Sequence, residues 1–319
     1  MHSKITIENY ERQINGVLNY ISNNLRNSFT IDELSKVASF SKFHFLRIFK
    51  AIVGETVGDF IRRLRLEKAA FYLIYNTDKS ITEITYDCGF SSSQNFAKAF
   101  KIHYGKSPSE YRFFYSSVPM SLNSNPGNII SNIRKENSHI LHYKMTNESE
   151  LLPMIQLEED RSMNDQVKIE KLETYQVVYS RKLGKYLPDL VLSALDNLFE
   201  WANPYGILDN KAKIIGVFWD NVAVTPDDKC RFDACIVIEK TIQIKKKGIY
   251  LQILPEGYFA IYRAIIKNNN FYDHWNKLLK TWLPSSGLEL DDRPCYEIYH
   301  NILEKSNEYI IDLCIPVKY

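Results

Sequence analysis

The sequence is poor in glycine, proline and cysteine, and it has no long apolar run. Its 319 residues include 12 glycines and 11 prolines, well below the average usage of about 12% for the two together. This scarcity argues against a loop-rich scaffold and favours long helices and regular strands. The five cysteines are odd in number, widely spaced and form no Cys-x-x-Cys pair. We therefore expect buried free thiols, and neither a disulfide framework nor a zinc site.

Signatures of membrane insertion and of catalysis are also missing from the sequence. No apolar run approaches the roughly 18 residues that a membrane span requires, and the first residues form a polar amphipathic segment unlike a signal peptide. We therefore expect a soluble cytoplasmic protein without a membrane partner. Gly-x-Ser-x-Gly, Gly-x-Gly-x-x-Gly, phosphate-loop and His-Glu-x-x-His motifs are absent. We accordingly expect a protein that is not an enzyme and that needs no cofactor or metal.

Charge is unevenly distributed along a chain that is long enough for two domains. Residues 1–115 contain 16 Lys and Arg against 11 Asp and Glu, residues 116–166 contain 4 against 7, and residues 167–319 contain 20 of each. The middle segment also holds 8 serines and 7 asparagines. This pattern predicts domains over 8–115 and 167–319, joined by a polar linker over 116–166. The basic excess of the first domain favours a polyanionic partner.

The first domain contains an internal repeat with an offset of about 50 residues. Residues 30–34 recur as residues 80–84, and each copy opens with Ser/Thr-x-x-Glu, a capping box that begins a helix. In each copy a short helix, a tight turn and a longer helix follow. This order predicts two helix-turn-helix units, over about 30–52 and 80–103, each with its second helix in the DNA major groove. A connecting helix of about 26 Å over 57–73 would hold the units near the roughly 34 Å of one DNA turn.

Two segments carry a resemblance to a known family. They are residues 41–50 (Ser-Lys-Phe-His-Phe-Leu-Arg-Ile-Phe-Lys) and residues 89–101 (Gly-Phe-Ser-Ser-Ser-Gln-Asn-Phe-Ala-Lys-Ala-Phe-Lys), closed by residues 105–112. Together they resemble the DNA-binding domain of the AraC/XylS family of transcription regulators. The resemblance implies an all-α tandem helix-turn-helix domain. It places the base-facing positions at Phe43, Leu46, Arg47, Ser93, Gln94, Asn95 and Lys98.

The polar candidates suit particular parts of DNA. Arg47 can form a bidentate pair with guanine, and Gln94 or Asn95 can form one with adenine, each giving about 1–3 kcal/mol of discrimination. Ser92 and Ser93, at the start of the second unit's longer helix, suit phosphate. We therefore expect the second unit to contribute more sequence discrimination than the first.

The apolar positions on the same helices allow two interpretations. Phe43 and Leu46 can make only apolar contacts with DNA, for instance with a thymine methyl group, and large apolar residues at helical spacing usually belong to the core. Ser39 is a minor departure, because it occupies the turn position where the second copy has Gly89. The residues assigned to the core are Phe45, Phe49, Phe96 and Phe100.

From residue 167 onward the pattern changes to short strands around helices, and the order of elements occurs twice. The first copy begins at 167–183 with a hairpin or a bent strand. Corresponding positions include Tyr179 with Tyr262, and segment 232–236 with segment 311–315. The sequence therefore predicts an α+β domain of two duplicated strand-helix-strand-strand units. The remaining predicted elements are helices over 187–201 and 271–283 and strands over 214–219, 232–239, 250–266, 296–299 and 309–317.

Motifs in this duplication, among them Pro294-x-x-Glu297-x-Tyr299, resemble the GyrI-like small-molecule-binding domain. The resemblance implies a pseudo-twofold domain whose central cleft takes aromatic and often cationic compounds, with Glu297 projecting into it. A lone carboxylate on an apolar strand is costly to bury without a cation or a hydrogen bond, although an exposed edge strand would also accommodate it. The candidate effector-binding residues are Glu297, Tyr262, Trp219, Trp275 and Tyr299, of which the aromatic ones are equally candidates for the core.

These observations predict a sequence-specific, DNA-binding transcription regulator with three partners: double-stranded promoter DNA, RNA polymerase and a small, cationic or aromatic effector. Two alternatives remain open for the second domain. In one, Glu297 and Tyr262 assist water in hydrolysing reactive electrophilic compounds. In the other, the domain sequesters compounds or binds a protein partner.

Overall fold

The computed structural model describes residues 2–76, 78–117, 166–209, 211–222, 224–239, 242, 244, 246–267, 270–303 and 308–318. The chain divides into two compact units, one comprising residues 1–118 and 243–252 and the other residues 119–242 and 253–319. The predicted linker over 116–166 lies, apart from its ends, outside the described residues.

The first unit is helical. Its helices follow the predicted order of a short helix, a turn and a longer helix, which occurs twice around a long connecting helix. Among the described residues, no helix is long and apolar enough to cross a membrane. The helices are α1 (His2–Asn23), α2 (Ile31–Val37), α3 (Lys42–Val53), α4 (Val57–Tyr75), α5 (Ile81–Asp87), α6 (Ser93–Tyr104) and α7 (Pro108–Ser117).

Both predicted capping boxes are present and begin the short helices α2 and α5. The Thr30 hydroxyl accepts a hydrogen bond from the backbone N–H of Glu33 at 3.1 Å, and the Glu33 carboxylate accepts one from the backbone N–H of Thr30. Ser80 and Glu83 repeat the arrangement at 3.1 and 2.8 Å. Each box satisfies two backbone donors that the helix itself cannot satisfy. The cap therefore fixes where each helix-turn-helix unit begins.

The long helices α3 and α6 present phenylalanines to the core at matching positions. All four phenylalanines that the sequence assigns to the core are fully buried, so that assignment is confirmed. Within each helix the two rings pack edge to face, with centroids 5.7 Å apart in α3 and 5.4 Å apart in α6. The residues are Phe45, Phe49, Phe96 and Phe100.

The turns that precede α3 and α6 differ at one residue. Ser39 and Gly89 both adopt the left-handed conformation, with φ of 54° and 78°. A Cβ atom on Gly89 would lie 2.9 Å from the carbonyl oxygens of Leu25 and Arg26, whereas Ser39 is exposed. The second turn therefore requires glycine for space as well as for φ, and the first turn tolerates serine at a conformational cost.

The second unit is built on an antiparallel sheet with helices, which confirms the predicted α+β class. The elements are β1 (Val167–Leu172), β2 (Tyr175–Leu183), α8 (Pro188–Ala202), β3 (Ile214–Phe218), β4 (Arg231–Val237), β5 (Ile249–Leu254, of which residues 249–252 fall in the first unit), β6 (Gly257–Lys267), α9 (Phe271–Asn276, continued by a π-helix over Lys277–Trp282), β7 (Glu289–Leu290), β8 (Cys295–Tyr299) and β9 (Glu308–Lys318). The strands of the second unit have the order β1-β6-β9-β8-β3-β4-β2, and β7 pairs with β9.

Of the two interpretations of residues 167–183, a hairpin or a bent strand, the hairpin is wrong. β1 pairs with β6, and β2 pairs with β4, so the two strands lie in opposite halves of the sheet. Alternation of apolar residues shows that a segment is extended but not which strand it pairs with. Pairing between distant segments is decided by the assembled sheet.

The strand pairing in the two halves of the sheet shows which residues of the two repeats are equivalent. In one half Arg181 pairs with Asp233, and in the other Arg263 pairs with Asp312. With the two aspartates aligned, as the sequence indicates, the two arginines are equivalent. Tyr262 is then equivalent to Ser180, and the predicted match of Tyr179 with Tyr262 is wrong by one residue.

An approximate twofold axis passes between the central strands β3 and β8. These equivalent strands pair with each other, and Gly216 lies opposite Glu297. α8 and α9 both pack on the face of the sheet that carries Glu297, since Asn197 of α8 bonds to Ser180 and Trp275 of α9 bonds to Glu297. Glu297 is therefore central in the sheet and beneath the helical layer.

The two turns predict opposite responses to substitution. We expect Ser39→Gly to stabilise the helical unit by about 1 kcal/mol because it removes the left-handed strain, and Gly89→Ala to destabilise it by about 2–3 kcal/mol because strain and overlap add. Gly105→Ala is the matched control, since Gly105 has φ of 74° and open space around its Cβ position. Urea unfolding followed by far-UV circular dichroism measures each change, and equal costs for Gly89→Ala and Gly105→Ala would contradict the overlap.

Candidate functional site

The outer face of α3 carries the three candidates of the first helix-turn-helix unit. Phe43, Leu46 and Arg47 follow i, i+3, i+4 spacing and lie on one side of the helix, opposite the buried phenylalanines. Phe43 is 89% exposed and Leu46 40% exposed, so neither belongs to the core. An exposed phenylalanine beside an exposed arginine forms a surface with both an apolar and a cationic contact.

The outer face of α6 carries the candidates of the second unit. Gln94, Asn95 and Lys98 are exposed, and Ser93 is half-buried. Ser92 caps the helix, because its hydroxyl oxygen accepts a hydrogen bond from the backbone N–H of Asn95 at 3.3 Å. The hydroxyl proton of Ser92 stays available for donation to an anion. This face therefore combines amide groups, a cation and a helix N-terminus, which suit base edges and phosphate.

The cations on the outer faces of α3 and α6 differ from those within α4. Within the described part of the chain, neither Arg47 nor Lys98 has a carboxylate partner. In α4, Arg63 contacts Glu55 at 2.7 Å and Glu67 at 3.2 Å. Burial alone would lower the pKa of Arg63, but the two carboxylates outweigh it and raise that pKa. Arg63 is thus a structural cation, whereas Arg47 and Lys98 are free for an anionic partner.

A second contact, made by the half-buried Arg65, holds the connecting helix. The Arg65 guanidinium donates hydrogen bonds to the carbonyl oxygens of Leu25 and Asn27, at 3.1 and 2.6 Å. These carbonyls lie just beyond α1, so Arg65 ties α4 to the end of the first helix. α4 has 19 residues and spans about 28 Å. The connecting helix therefore has the length that the sequence predicts for a spacer between the two units.

Glu297 is the central feature of the second unit. It is 3% exposed on β8, which lies between β3 and β9, so the exposed edge-strand interpretation is wrong. Its Oε2 accepts a hydrogen bond from the Tyr299 hydroxyl at 2.6 Å, and its Oε1 accepts one from the Trp275 indole N–H at 2.8 Å. Among the described residues, no Lys, Arg or His forms an ion pair with Glu297. The carboxylate thus has two neutral donors and, in the part of the chain that the structure describes, no compensating cation.

Burial gives Glu297 an unusual protonation equilibrium. Desolvation raises the pKa of Glu297 from 4.5 to about 7, against the opposing effect of the hydrogen bonds from Tyr299 and Trp275. Near neutral pH the carboxyl group is therefore divided between a protonated and an ionised form. The site can hold a proton, or it can accept a cation in its place.

The aromatic candidates lie at different distances from the carboxyl group of Glu297. The ring of Phe218 lies 6.1 Å from that of Trp275. Tyr262 lies in the same row of the sheet as Glu297, but Leu313 stands between them, and the ring of Tyr262 contacts His274 at 5.9 Å. The structure therefore brings Trp275 and Tyr299 to Glu297 and places Tyr262 one strand further away.

Trp219, the remaining aromatic candidate, lies away from Glu297. Its indole N–H donates to Asp233 at 2.7 Å, and its ring lies against the guanidinium groups of Arg181 and Arg231, at 5.5 and 5.6 Å. Asp233 lies directly opposite Val217 in the pairing of β3 with β4. Val217 follows Gly216, which shares a row with Glu297, so the side chains of Val217 and Asp233 point to the other face of the sheet. Trp219 therefore joins a buried ionic cluster on the opposite face of the sheet and is not brought to Glu297.

Sequence reasoning missed His274 and Gly216. The buried Nδ1 atom of His274 has no hydrogen-bond partner among the described residues, and burial lowers the pKa of this residue. His274 directly precedes Trp275, which is a signal that could have drawn attention to it. Gly216 interrupts the apolar strand Ile214–Phe218, and a glycine inside a strand often marks a close approach.

Cysteines and possible metal ligands are two other groups of reactive side chains. All five cysteines are free, as predicted, and four of them are buried, with Cys295 half-buried. Burial raises the pKa of the Cys295 thiol to about 12, which disfavours the nucleophilic thiolate. The part of the chain that the structure describes contains no group of three His, Cys, Asp or Glu side chains that could hold a metal ion.

Comparisons with known proteins identify both units. Residues 34–113 match the model of a helix-turn-helix domain, and residues 165–318 match that of the GyrI-like small molecule binding domain. The HTH-type transcriptional activator AarP of Providencia stuartii is 38% identical over 99 residues, which cover 31% of this chain and 73% of AarP. Regulatory protein SoxS of Escherichia coli (strain K12) is 31% identical over 103 residues, which cover 32% of this chain and 95% of SoxS.

A third relative is matched over a smaller share of its length. The uncharacterized HTH-type transcriptional regulator YbfP of Bacillus subtilis (strain 168) is 39% identical over 105 residues, which cover 33% of this chain and 35% of YbfP. The chain therefore spans about a third of the length of this relative.

The protonation of Glu297 predicts a change of stability with pH. Below about pH 4.5 the carboxyl group is protonated in both the folded and the unfolded chain and contributes no pH dependence. Between pH 4.5 and 7 only the unfolded chain ionises, so the folded state loses stability, by about 3 kcal/mol in total, and above pH 7 the loss is constant. Glu297→Gln removes this dependence, so the variant gains stability relative to wild type as pH rises.

Tryptophan fluorescence measures this difference, because all four tryptophans lie in the second half of the chain. Urea unfolding of wild type and Glu297→Gln at pH 4 and pH 8 gives the two differences in free energy of unfolding. A difference that is the same at both pH values would show that Glu297 ionises normally in the folded protein.

Proposed function

Since the chain belongs to the AraC/XylS family of transcription regulators, we propose that it recognises a two-part site in double-stranded promoter DNA. The carrying observation is the pair of exposed outer faces on α3 and α6, each backed by two buried phenylalanines. Two recognition helices joined by a connector of about 28 Å suit adjacent major grooves, which are about 34 Å apart.

Each helix contributes a different chemistry to this recognition. In the first unit, Arg47 forks onto the O6 and N7 atoms of guanine, while Phe43 and Leu46 contact thymine methyl groups. In the second unit, Gln94 and Asn95 pair with the N6 and N7 edge of adenine. Ser92 and Ser93 contact phosphate at the start of α6, and Lys98 adds a positive charge to the same face.

The second unit of the chain supplies the regulatory input in this proposal. Its GyrI-like domain takes a small organic cation, whose charge replaces the proton on Glu297 and whose apolar body lies against Trp275 and Tyr299. Support comes from a central carboxyl group that has two hydrogen-bond donors and no ion-pair partner among the described residues. A cation against aromatic faces in a desolvated site gains about 2 kcal/mol from each good contact.

Regulation requires that the effector distinguish two states of the protein. A ligand changes DNA engagement only by the difference between its affinities for the state that binds DNA and the state that does not. Contact with RNA polymerase is part of the same proposal, as the step by which DNA binding changes transcription.

One observation favours the hydrolytic alternative. A carboxyl group with a pKa of about 7 is suited to general acid–base catalysis at neutral pH. The tyrosine in contact with Glu297 is Tyr299, so a hydrolytic site would use this residue in place of Tyr262. Multiple turnovers of a reactive ester or epoxide, abolished by Glu297→Gln, would establish this alternative.

The DNA-binding proposal predicts separable losses of specificity. Duplexes selected from a random pool by the full chain at physiological salt should contain two conserved parts about one helical turn apart. Arg47→Ala should lose the guanine preference in one part and Gln94→Ala the adenine preference in the other, each at about 1–3 kcal/mol.

Arg62→Ala is the matched control, because Arg62 is exposed and lies outside α3 and α6. It should leave the selected sequence unchanged, because Arg62 pairs with Asp59 at 3.2 Å and is not a base-facing candidate. Selection of no sequence, or a loss of both parts in each single variant, would contradict the assignment of one helix to each part.

A further inference from the structure

The two central strands are equivalent in the duplication but differ at the axis that relates them. Gly216 of β3 and Glu297 of β8 occupy equivalent positions and lie directly opposite each other. Directly opposite residues in an antiparallel pair point to the same face of the sheet, with Cβ atoms about 5 Å apart. One repeat therefore supplies a carboxyl group at the axis, and the other supplies a position without a side chain.

The backbone does not account for this glycine. Gly216 lies in regular strand conformation, outside the set of glycines with positive φ, and its pairing continues on both sides, with Glu297 and with Ala234. Glycine within a central strand weakens the strand. A requirement for space is the remaining physical reason.

The space beside Gly216 is filled by Tyr299. A Cβ atom on Gly216 would lie 2.9 Å from the Tyr299 hydroxyl oxygen, 3.2 Å from its Cε2 atom and 3.0 Å from Cε2 of Phe232. Contacts below 3.0 Å require one of the groups to move. The same hydroxyl donates the 2.6 Å hydrogen bond to Glu297 Oε2. Any side chain at position 216 therefore competes for the place of the group that holds one carboxyl oxygen of Glu297.

We propose that Gly216 is a positioning residue of the effector site, where its missing side chain lets the Tyr299 hydroxyl lie over β3 and orient the carboxyl group of Glu297. The second oxygen stays on Trp275, so the carboxyl group is held from both sides. The proposal rests on the proposed effector site for its biological meaning. Its physical content, a dependence of Glu297 on Gly216 through Tyr299, needs no ligand.

The test is a double-variant cycle on the full chain in the absence of any ligand. Glutamate labelled with ¹³C at Cδ reports each carboxyl titration by NMR, and the signal absent from Glu297→Gln identifies Glu297. The hydrogen bond from Tyr299 lowers the pKa of Glu297. Loss of one hydrogen bond to a charged group should therefore raise that pKa by about one pH unit.

We expect Gly216→Ala and Tyr299→Phe each to produce this shift, and the double variant to titrate like Tyr299→Phe alone. Once the hydroxyl is absent, alanine has no hydrogen bond to displace. A Gly216→Ala variant that titrates like wild type, or shifts that add in the double variant, would overturn the proposal.

Folding of the variants is itself informative. If Gly216→Ala does not fold but the double variant does, and titrates like Tyr299→Phe, the clash with the hydroxyl is demonstrated directly. If neither folds, Gly216 serves packing against Phe232 and the proposal is overturned. Because the readout contains no ligand, failure of an organic cation to bind would contradict the proposed effector site and leave this result unchanged.

Discussion

The second unit depends on one costly arrangement, a carboxyl group buried at the centre of a sheet with no cation beside it among the described residues. Glu297 accepts hydrogen bonds from two neutral donors, one from a helix and one from its own strand. Such a group is stable when protonated and is ready for a cation when ionised. Trp275 in α9 donates to one oxygen of this carboxyl group, and Gly216 in β3 lies opposite it at the equivalent position of the other repeat.

The first unit obeys a different constraint, namely that two helix-turn-helix motifs with the same order of elements are joined through one connecting helix. Capping boxes begin both motifs, and matched phenylalanines anchor both long helices. The copies diverge on their outer faces, where the first presents Phe43 and Arg47 and the second Gln94 and Lys98. Burial thus fixes what the copies share, while the exposed positions are free to differ, as the proposed DNA specificity requires.

Local features could be predicted from the sequence, and long-range ones could not. Thr30 and Ser80 mark helix starts because a cap is complete within four residues. β1, in contrast, pairs Val167 with Tyr262, 95 positions away, and nothing near Val167 specifies that partner. The error of one residue in matching Tyr179 with Tyr262 matters because a shift of one position moves a side chain to the opposite face of a sheet.

The candidate site was predicted in the same uneven way. Glu297 and Tyr299 lie two residues apart on one strand, so a single sequence motif contains both. Trp275 was a candidate because all four tryptophans lie in the second half of the chain. Trp219 could not be separated from them by sequence, because its place on the opposite face follows from its bond to Asp233. Gly216 carries no chemistry of its own, and its role follows only from the strand opposite it.

The most direct test of the account compares two molecules of the same shape, N-methylquinolinium, which is a cation, and 1-methylnaphthalene, which is neutral. Calorimetric titration of the full chain should show a clear preference for the cation, with an affinity about tenfold higher at pH 8 than at pH 6, because only the ionised form of Glu297 binds it. Glu297→Gln should abolish both the preference and the pH dependence. Equal binding of the two molecules to wild type, or cation binding that persists unchanged in Glu297→Gln, would contradict the central role of the buried carboxyl group.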